Sequence, residues 1–463
     1  MYMYDLSKEF EKFYNDYVVL PNKEQNDLRK KKNINIKRLR DGLTEYNKEN
    51  NTTYKIAEIR VQGSMAMHTV VQNDNKDYDI DVAIIFEKDN LKDNTEYLGS
   101  RASRNIVRDA LKKKCSQFNV EPETLTNCVR VTYADGYHID FAVYRRFKEV
   151  GSNEYVYEHA GSSWTSRNPA AINEWFSQEI ELKGQELRKV IRLSKMFCKS
   201  RDYWVNMPGG LLQTVLCDEK IPTSYDRLDE MFYYTMNGII RRLENSIEVY
   251  NPTDISLPLL TTDKHRTKMN NWKTRLQTEL EKLDILFDEE CDRKSAIDAW
   301  HSFFEHDFWT NESVVSESFA LRKSYLNYTD TEEFIENEVY NICEQYYVKV
   351  ECKVEANGFP AQSLNSFFEN HPMFNRHLPH GFSIDFDVVS TNVPEPYNVW
   401  WKVRNVGAEA ENRNDIRGQI DKKYYKHKHE TARFYGPHYV ECYIIKNGEC
   451  VAIEHIDVPI GHS

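Results

Sequence analysis

The sequence predicts an α+β chain: a mixed strand-and-helix segment, a long helical segment, and a small β-rich segment at the C-terminal end. Three observations predict it. Short β-branched runs, KIAEIRVQG, YDIDVAIIF, CVRVTY and YHIDFAVYR, fall between about residues 54 and 146 and enclose one helical stretch, RASRNIVRDALKKKC. Residues 168 to 340 carry mostly helical spacing, and alternating patterns return from about 345. The predicted domains are therefore 1–165, 166–344 and 345–463.

Taken in order, residues 6 to 48 read as helical. Leu6, Phe10, Phe13 and Tyr14, then Leu28, Ile34, Ile36, Leu39 and Leu43, recur among Lys, Asp and Glu. Alternate side chains of a strand share a face. In YDIDVAIIF this puts Asp79 and Asp81 together and turns Tyr78, Ile80 and Val82 to the core. In YHIDFAVYR, His138, Asp140, Ala142 and Tyr144 share one face, and the preceding ADG reads as a tight hairpin turn. NPAAINEWF opens a helix behind an Asn-Pro pair, and WKTRLQTELEKLDILFDEE is a long amphipathic segment. Trp300, Phe303, Phe304, Phe308 and Trp309 read as helix core. In the last segment HGFSIDFDVVS, NVWWKVRNVG, HYVECYIIK and GECVAIEHIDV read as strands, the final two joined through Asn447-Gly448, a strong hairpin signal.

Composition narrows the function classes. With 463 residues, 40% apolar and 29% charged, the chain has length for two or three cores. No basic region followed by an apolar run opens it, and no stretch approaches the roughly 18 apolar residues of a membrane span. A cytoplasmic protein without membrane contact is expected. The nine cysteines form no C-x-x-C pair, so reduced thiols are expected and no zinc site is signalled. A formal charge of -12 favours small nucleotides over long nucleic acid, whose grip needs an excess of Lys and Arg.

Three features point to one chemistry. Gly63-Ser64 follows a strand-like run, where a glycine lets backbone approach a phosphate and the serine adds a hydroxyl donor. Asp79 and Asp81 side by side repel each other unless a cation intervenes, and magnesium prefers such hard oxygen ligands. Asp140 is a lone carboxylate in an apolar strand, which needs either a metal or an arginine partner such as Arg130 or Arg145. Gly-Ser, then D-x-D in a strand, then a third Asp in a later hairpin strand is the layout of polymerase-β-type nucleotidyltransferases.

GSMAMHTVV, YDIDVAIIF and YHIDFAVYR together resemble the nucleotidyltransferase core of the cGAS/DncV-like (CD-NTase, SMODS synthase) family of antiphage defence. WTSRNPAAINEWF, LRKVIRLSKMFCKS and MPGGLLQTVL are similar to the segments that follow that core. WWKVRNVGAEAENRNDIRGQI and ARFYGPHYVECYIIKNGECVAIEHIDVPI resemble the AGS-C domain, a ligand sensor fused to such synthases. The resemblance implies a polymerase-β-like core with a helical lobe and a small β-rich sensor domain. It implies magnesium, with manganese as substitute, on Asp79, Asp81 and Asp140. Donor triphosphate would rest on Gly63, Ser64 and Lys195, the last lying in a basic stripe with Arg188, Arg192 and Lys199. One departure stands out: Gly209 and Gly210 occupy the MPGG segment where the family often has a serine.

The expected activity is synthesis of a cyclic di- or trinucleotide second messenger from nucleoside triphosphates, with release of pyrophosphate, in antiphage (CBASS) signalling. Its expected partners are those triphosphates, a downstream effector reached through the product, and a ligand of the C-terminal domain. Trp400, Arg404, Arg413 and Arg417 have the aromatic and cationic character to meet that ligand. Residues 345–463 are expected to regulate synthesis without contributing to its chemistry. Two rivals remain: a linear nucleotidyltransferase acting on RNA or protein, and an inactive nucleotide-binding module. His68 and His138 read as structural neighbours of the motifs, not as catalysts.

Overall fold

Pro21 decides the shape of the N-terminal segment. Its φ of -57° and ψ of 144° interrupt what the apolar spacing suggests is one helix, because proline cannot continue a helical ladder. The result is α1 (Ser7–Phe13) running into a π-helical turn at Tyr14–Val18, then α2 (Asn22–Asn50). The computed structural model describes residues 2–72, 78–115, 121–134, 136–222, 224–310, 333–339, 341–344, 346–405, 409–410, 413, 415–423 and 425–461. Asp135 of the expected ADG turn lies outside them.

The chain divides into two compact units, Met1–Ile56 with Val61–Ser316, and Ala57–Arg60 with Glu317–Ser463. The end of β1 (Ile56–Gln62), from Val61 on, belongs to the first unit and leads into α3 (Gly63–Ala66), followed by β2 (Asp79–Glu87). The small pair β3 (Lys92–Asp93) and β4 (Glu96–Tyr97) precedes α4 (Ser100–Cys115). Next come β5 (Glu123–Thr124), β6 (Val129–Thr132), β7 (His138–Lys148), β8 (Tyr155–Ala160) and β9 (Trp164–Ser166). β2 and β7 pair in parallel, while β6 and β8 pair antiparallel to β7 at successive stretches of its length. The expected hairpin is thus β6–β7, closed by the Tyr133 N–H to the Tyr137 carbonyl at 2.8 Å.

The helical lobe consists of α5 (Ala171–Lys183), α6 (Glu186–Lys199), α7 (Gly210–Lys220), α8 (Leu228–Asn245), the ribbon β10 (Tyr250–Asn251) and β11 (Asp254–Pro258), α9 (Asp263–Glu281) and α10 (Arg293–Phe304). Its core is aromatic. Phe10 and Phe13 of α1 reach into it, with Phe10 4.6 Å from Trp300 and Phe13 5.3 Å from Trp309 between ring centroids. Trp300, Phe303, Phe304, Phe308 and Trp309 are all buried there, as their spacing suggests.

The second unit is a β-sandwich. β12 (Asn341–Glu344), β16 (Asn398–Arg404), β17 (Arg417–Asp421), β19 (Gly436–Lys446) and β20 (Glu449–Ile460) run in the order β17-β16-β19-β20-β12. The opposing sheet is β14-β13-β15-β18, from β13 (Val348–Ala356), β14 (Phe359–Ser363), β15 (Ser383–Thr391) and β18 (His427–Thr431). His427–Thr431 of the segment KYYKHKHETARF form β18. Asn447 and Gly448 take φ of 53° and 79°, the left-handed pair that a two-residue hairpin turn requires. Val399, Trp401, Ile384, Phe386, Phe367 and Ile444 fill the space between the sheets.

Candidate active site

Parallel pairing of β2 with β7 sets Asp79 opposite His138 and Asp81 opposite Asp140. Burial alternates as the period of two demands: Ile80 and Val82 are buried, Asp81 is half-buried and Asp79 is exposed. Burial first, and then the charges of Asp140 and Asp79, push the Asp81 carboxyl up to about 6. Arg130 on β6, directly across from Asp140, answers part of that charge. Its Nε and Nη2 donate to both Asp140 oxygens at 2.7 Å, and Nη2 lies 3.5 Å from Asp79 Oδ1. Of the two arginine partners the sequence offers, Arg130 is therefore the one. Arg145 pairs with Glu158 instead and lies over the Trp164 ring.

Gly63 closes the site from β1. At φ of 65° it occupies the left-handed region, and a Cβ there would stand 2.0 Å from Asp81 Oδ2. Only glycine lets the turn lie against that carboxylate. Ser64 follows at the start of α3, and both line a cavity of about 590 Å³ together with the three aspartates. That volume is in the range of small-ligand sites.

The far wall comes from the helical lobe. Lys195 of α6 enters the cavity lining almost fully buried, its Nζ donating to Thr69 Oγ1 at 2.7 Å and the Thr69 carbonyl at 3.0 Å. Burial, then the nearby charges of Arg192 and Lys199, lower its ammonium to about 7. The stripe on α6 is no solvated face. Arg188 donates to the Met67 carbonyl at 3.2 Å, Arg192 to the Tyr14 hydroxyl at 2.6 Å, and Lys199 lines the cavity. In the MPGG segment a Cβ on Gly209 would meet nothing within 4 Å, whereas one on Gly210 would begin 3.0 Å from Lys195 Cε and 3.3 Å from its Nζ.

Sequence reasoning misses Arg167 and His159. Both line the cavity, Arg167 as an exposed guanidinium between β9 and α5. Burial, reinforced by Arg167, drops the His159 imidazole to about 4, so it stays neutral. The only signal for Arg167 is its place in WTSRNP, since an exposed loop arginine has no period to betray it. His68 and His138 are absent from the lining, which fits their reading as structural neighbours. Three carboxylates are the hard donors magnesium takes. They stand on adjacent strands, yet among the described residues no three His, Cys, Asp or Glu side chains already converge as a ligand set.

Residues 57–144 match the family model described as the nucleotidyltransferase domain of cyclic GMP-AMP synthase DncV-like proteins. Residues 329–461 match the adenylyl/guanylyl and SMODS C-terminal sensor domain, AGS-C. The chain therefore carries two matched domains, a DncV-like nucleotidyltransferase domain and an AGS-C domain. A cyclic GMP-AMP synthase of Escherichia albertii is 23% identical over 420 residues, covering 86% of this chain and 83% of its own. Vibrio cholerae DncV with 3'-deoxy ATP superposes with a TM-score of 0.52 at 18% identity, over 66% of this chain and 96% of that one. DncV in complex with the linear intermediate pppA(3',5')pG gives 0.51 at 18% identity, over 65% and 96%. These likenesses establish a polymerase-β-type core. The nucleotidyltransferase match includes Gly63, Ser64, Asp79, Asp81, Arg130 and Asp140, and ends before Lys195.

In the AGS-C domain Arg404 and Arg417 are cross-strand partners, the Arg404 Nη1 donating to the Arg417 carbonyl at 2.8 Å. Arg417 lines a cavity of about 210 Å³ and is paired with Glu430 at 2.6 and 3.0 Å. Arg413 pairs with Glu409 and lies over the Phe434 ring, and neither it nor Trp400 nor Arg404 lines that cavity. Trp401, not Trp400, is the core tryptophan, at 1% exposure. Cys115, Cys128, Cys198, Cys217, Cys291, Cys352, Cys442 and Cys450 are free thiols, and no described helix is long and apolar enough to cross a membrane.

Proposed function

We propose that this chain joins nucleoside triphosphates into a cyclic oligonucleotide, releasing pyrophosphate, as the signal-producing enzyme of an antiphage response. The observation that carries the reading is the register that sets Asp81 beside Asp140, with Gly63 against Asp81, at the wall of a cavity of about 590 Å³. Asp79, Asp81 and Asp140 would hold magnesium, which when bound supplies Lewis-acid activation of a ribose hydroxyl and neutralises the leaving pyrophosphate. The turn at Gly63-Ser64 offers a hydroxyl and close backbone approach to the donor triphosphate. Lys195 stands on the opposite wall with neutral Thr69 as its partner, and a bound triphosphate would favour its charged form. Arg167 adds an exposed cation at the rim for the phosphates of the acceptor. Neutral His159 adds no charge to that wall.

The acidic total charge supports small substrates over an RNA acceptor. Incubation with all four triphosphates and magnesium or manganese should give a cyclic product by mass spectrometry, together with pyrophosphate. The double variant Asp79→Asn with Asp81→Asn should make none. Near-normal synthesis by that variant sinks the reading; linear products from the native chain favour the transferase rival; no pyrophosphate at all favours the binding module.

A further inference from the structure

Both oxygens of Asp140 are already taken. Arg130 holds them in a two-pronged contact at 2.7 Å each, and the same guanidinium lies 3.5 Å from Asp79. The contact is built into the sheet, because Arg130 and Asp140 are direct cross-strand partners on β6 and β7. The carboxylates raise the tendency of Arg130 to stay charged, its hydrogen bonds to Asp140 most of all. A divalent ion asks for at least one of those same oxygens.

We propose that Arg130 is the resident counter-ion of the acidic site and competes with the divalent ion for Asp140 and Asp79. This rests on the metal reading above. A guanidinium fork matches a carboxylate edge-on and takes both of its oxygens, so the ion can engage Asp140 only when the fork lets go or yields one prong. A singly and a doubly charged cation sharing one carboxylate also repel across a few ångströms in a partly buried setting, where water screens them weakly. Against this stands a service Arg130 renders, holding Asp140 in one orientation. Repulsion plus lost ligand atoms outweighs that service, because the paired strands already fix the backbone of Asp140. The arginine thus keeps the like-charged cluster tolerable without metal, and sets a threshold concentration below which the ion does not load. Its long side chain can leave Asp140 while its backbone stays in the ladder, and Asp79, more exposed, offers the departing head a nearby seat.

The test is Mn²⁺ affinity of the full chain without nucleotide, read by electron paramagnetic resonance. Arg130→Gln should bind Mn²⁺ about tenfold tighter than the native chain, because a charged competitor with two hydrogen bonds is gone. Arg130→Lys keeps the charge but cannot fork, and should fall between the two. If Arg130→Gln does not fold, as thermal denaturation would show, tighter binding by Arg130→Lys supports the competition equally well. Unchanged or weaker binding in the folded variants, with Asp81→Asn abolishing binding, overturns the competition and leaves the metal reading standing. Binding by Asp81→Asn equal to that of the native chain overturns both.

Discussion

Asp81 and Asp140 carry the same charge and opposite energetic signs. Asp81 is held at about 6 by burial and by its neighbours, so its ionised form is costly at neutral pH in the absence of a cation. Asp140 has a forked arginine. Asp81→Asn should therefore raise thermal stability of the metal-free protein, by up to about 3 kcal/mol if the full shift is recovered. Asp140→Asn should lower it by roughly 1–3 kcal/mol, since Arg130 loses a charged partner. Both should drop turnover by orders of magnitude. Melting curves in the presence of a chelator check the split, and equal shifts of one sign would contradict it. The three aspartates are legible in the sequence because a period of two in an apolar run leaves a carboxylate nowhere neutral to go. The period of two already puts Arg145 on the opposite face of β7 from Asp140, but that Arg130 stands across from Asp140 is not legible, since it depends on which residue the hairpin brings there. That pairing is set by the length of a turn, and no side-chain pattern records it.

Among the secondary-structure elements, α6 shows how packing gives a pattern its meaning. Arg188, Arg192, Lys195 and Lys199 form a stripe that meets the end of α3, the π-helical turn and the cavity, so spacing marks the face and packing decides what it meets. Gly210 at the start of α7 belongs to the same contact. A serine there would place its Cβ 3.0 Å from the end of the Lys195 side chain, a flexible neighbour that can shift by a few tenths of an ångström. Gly210→Ser should thus fold normally and disturb Lys195, raising KM for the triphosphates several-fold more than it lowers kcat. Equal kinetics in the variant would show that Lys195 has slack to spare. The break at Pro21 is legible in hindsight from the proline alone. Apolar spacing on both sides conceals it, because α1 and α2 each bury a face of their own.

Across the chain as a whole, the AGS-C domain carries a charge cluster with its own pH signature. Burial works against charged His455, but hydrogen bonds to Asp457 and Glu441 outweigh it and hold the imidazole protonated to about 9. Its folded value lies above the ordinary one, so its stabilisation is complete below about pH 6.5 and is lost as pH rises through about 9. Glu441 is likewise disfavoured by burial, yet His455 and Lys402 bring it down to about 2, so its share is present above about pH 4.5 and fades as pH falls through about 2. Urea midpoints should decline between pH 6.5 and 9, and His455→Gln should flatten that decline; an unchanged slope would refute the assignment. The described residues lining the larger cavity all precede residue 214, and residues 345–463 are proposed to regulate without entering the chemistry. A chain ending near residue 344, if folded by circular dichroism, should keep metal-dependent synthesis and lose its response to phage. Folded yet inert, it would show instead that the tail completes the site. One more consequence follows from Phe10 and Phe13, which share an aromatic core with Trp300, Phe304 and Trp309. During synthesis the first helix emerges long before its partners, and that core cannot close until Trp309 has left the ribosome. At about 5–20 residues per second, the apolar face of α1 waits roughly fifteen seconds to a minute in the open. The nascent chain is then a client for whatever chaperone meets it first, and α1 folds with the end of its own unit although it is made well before it.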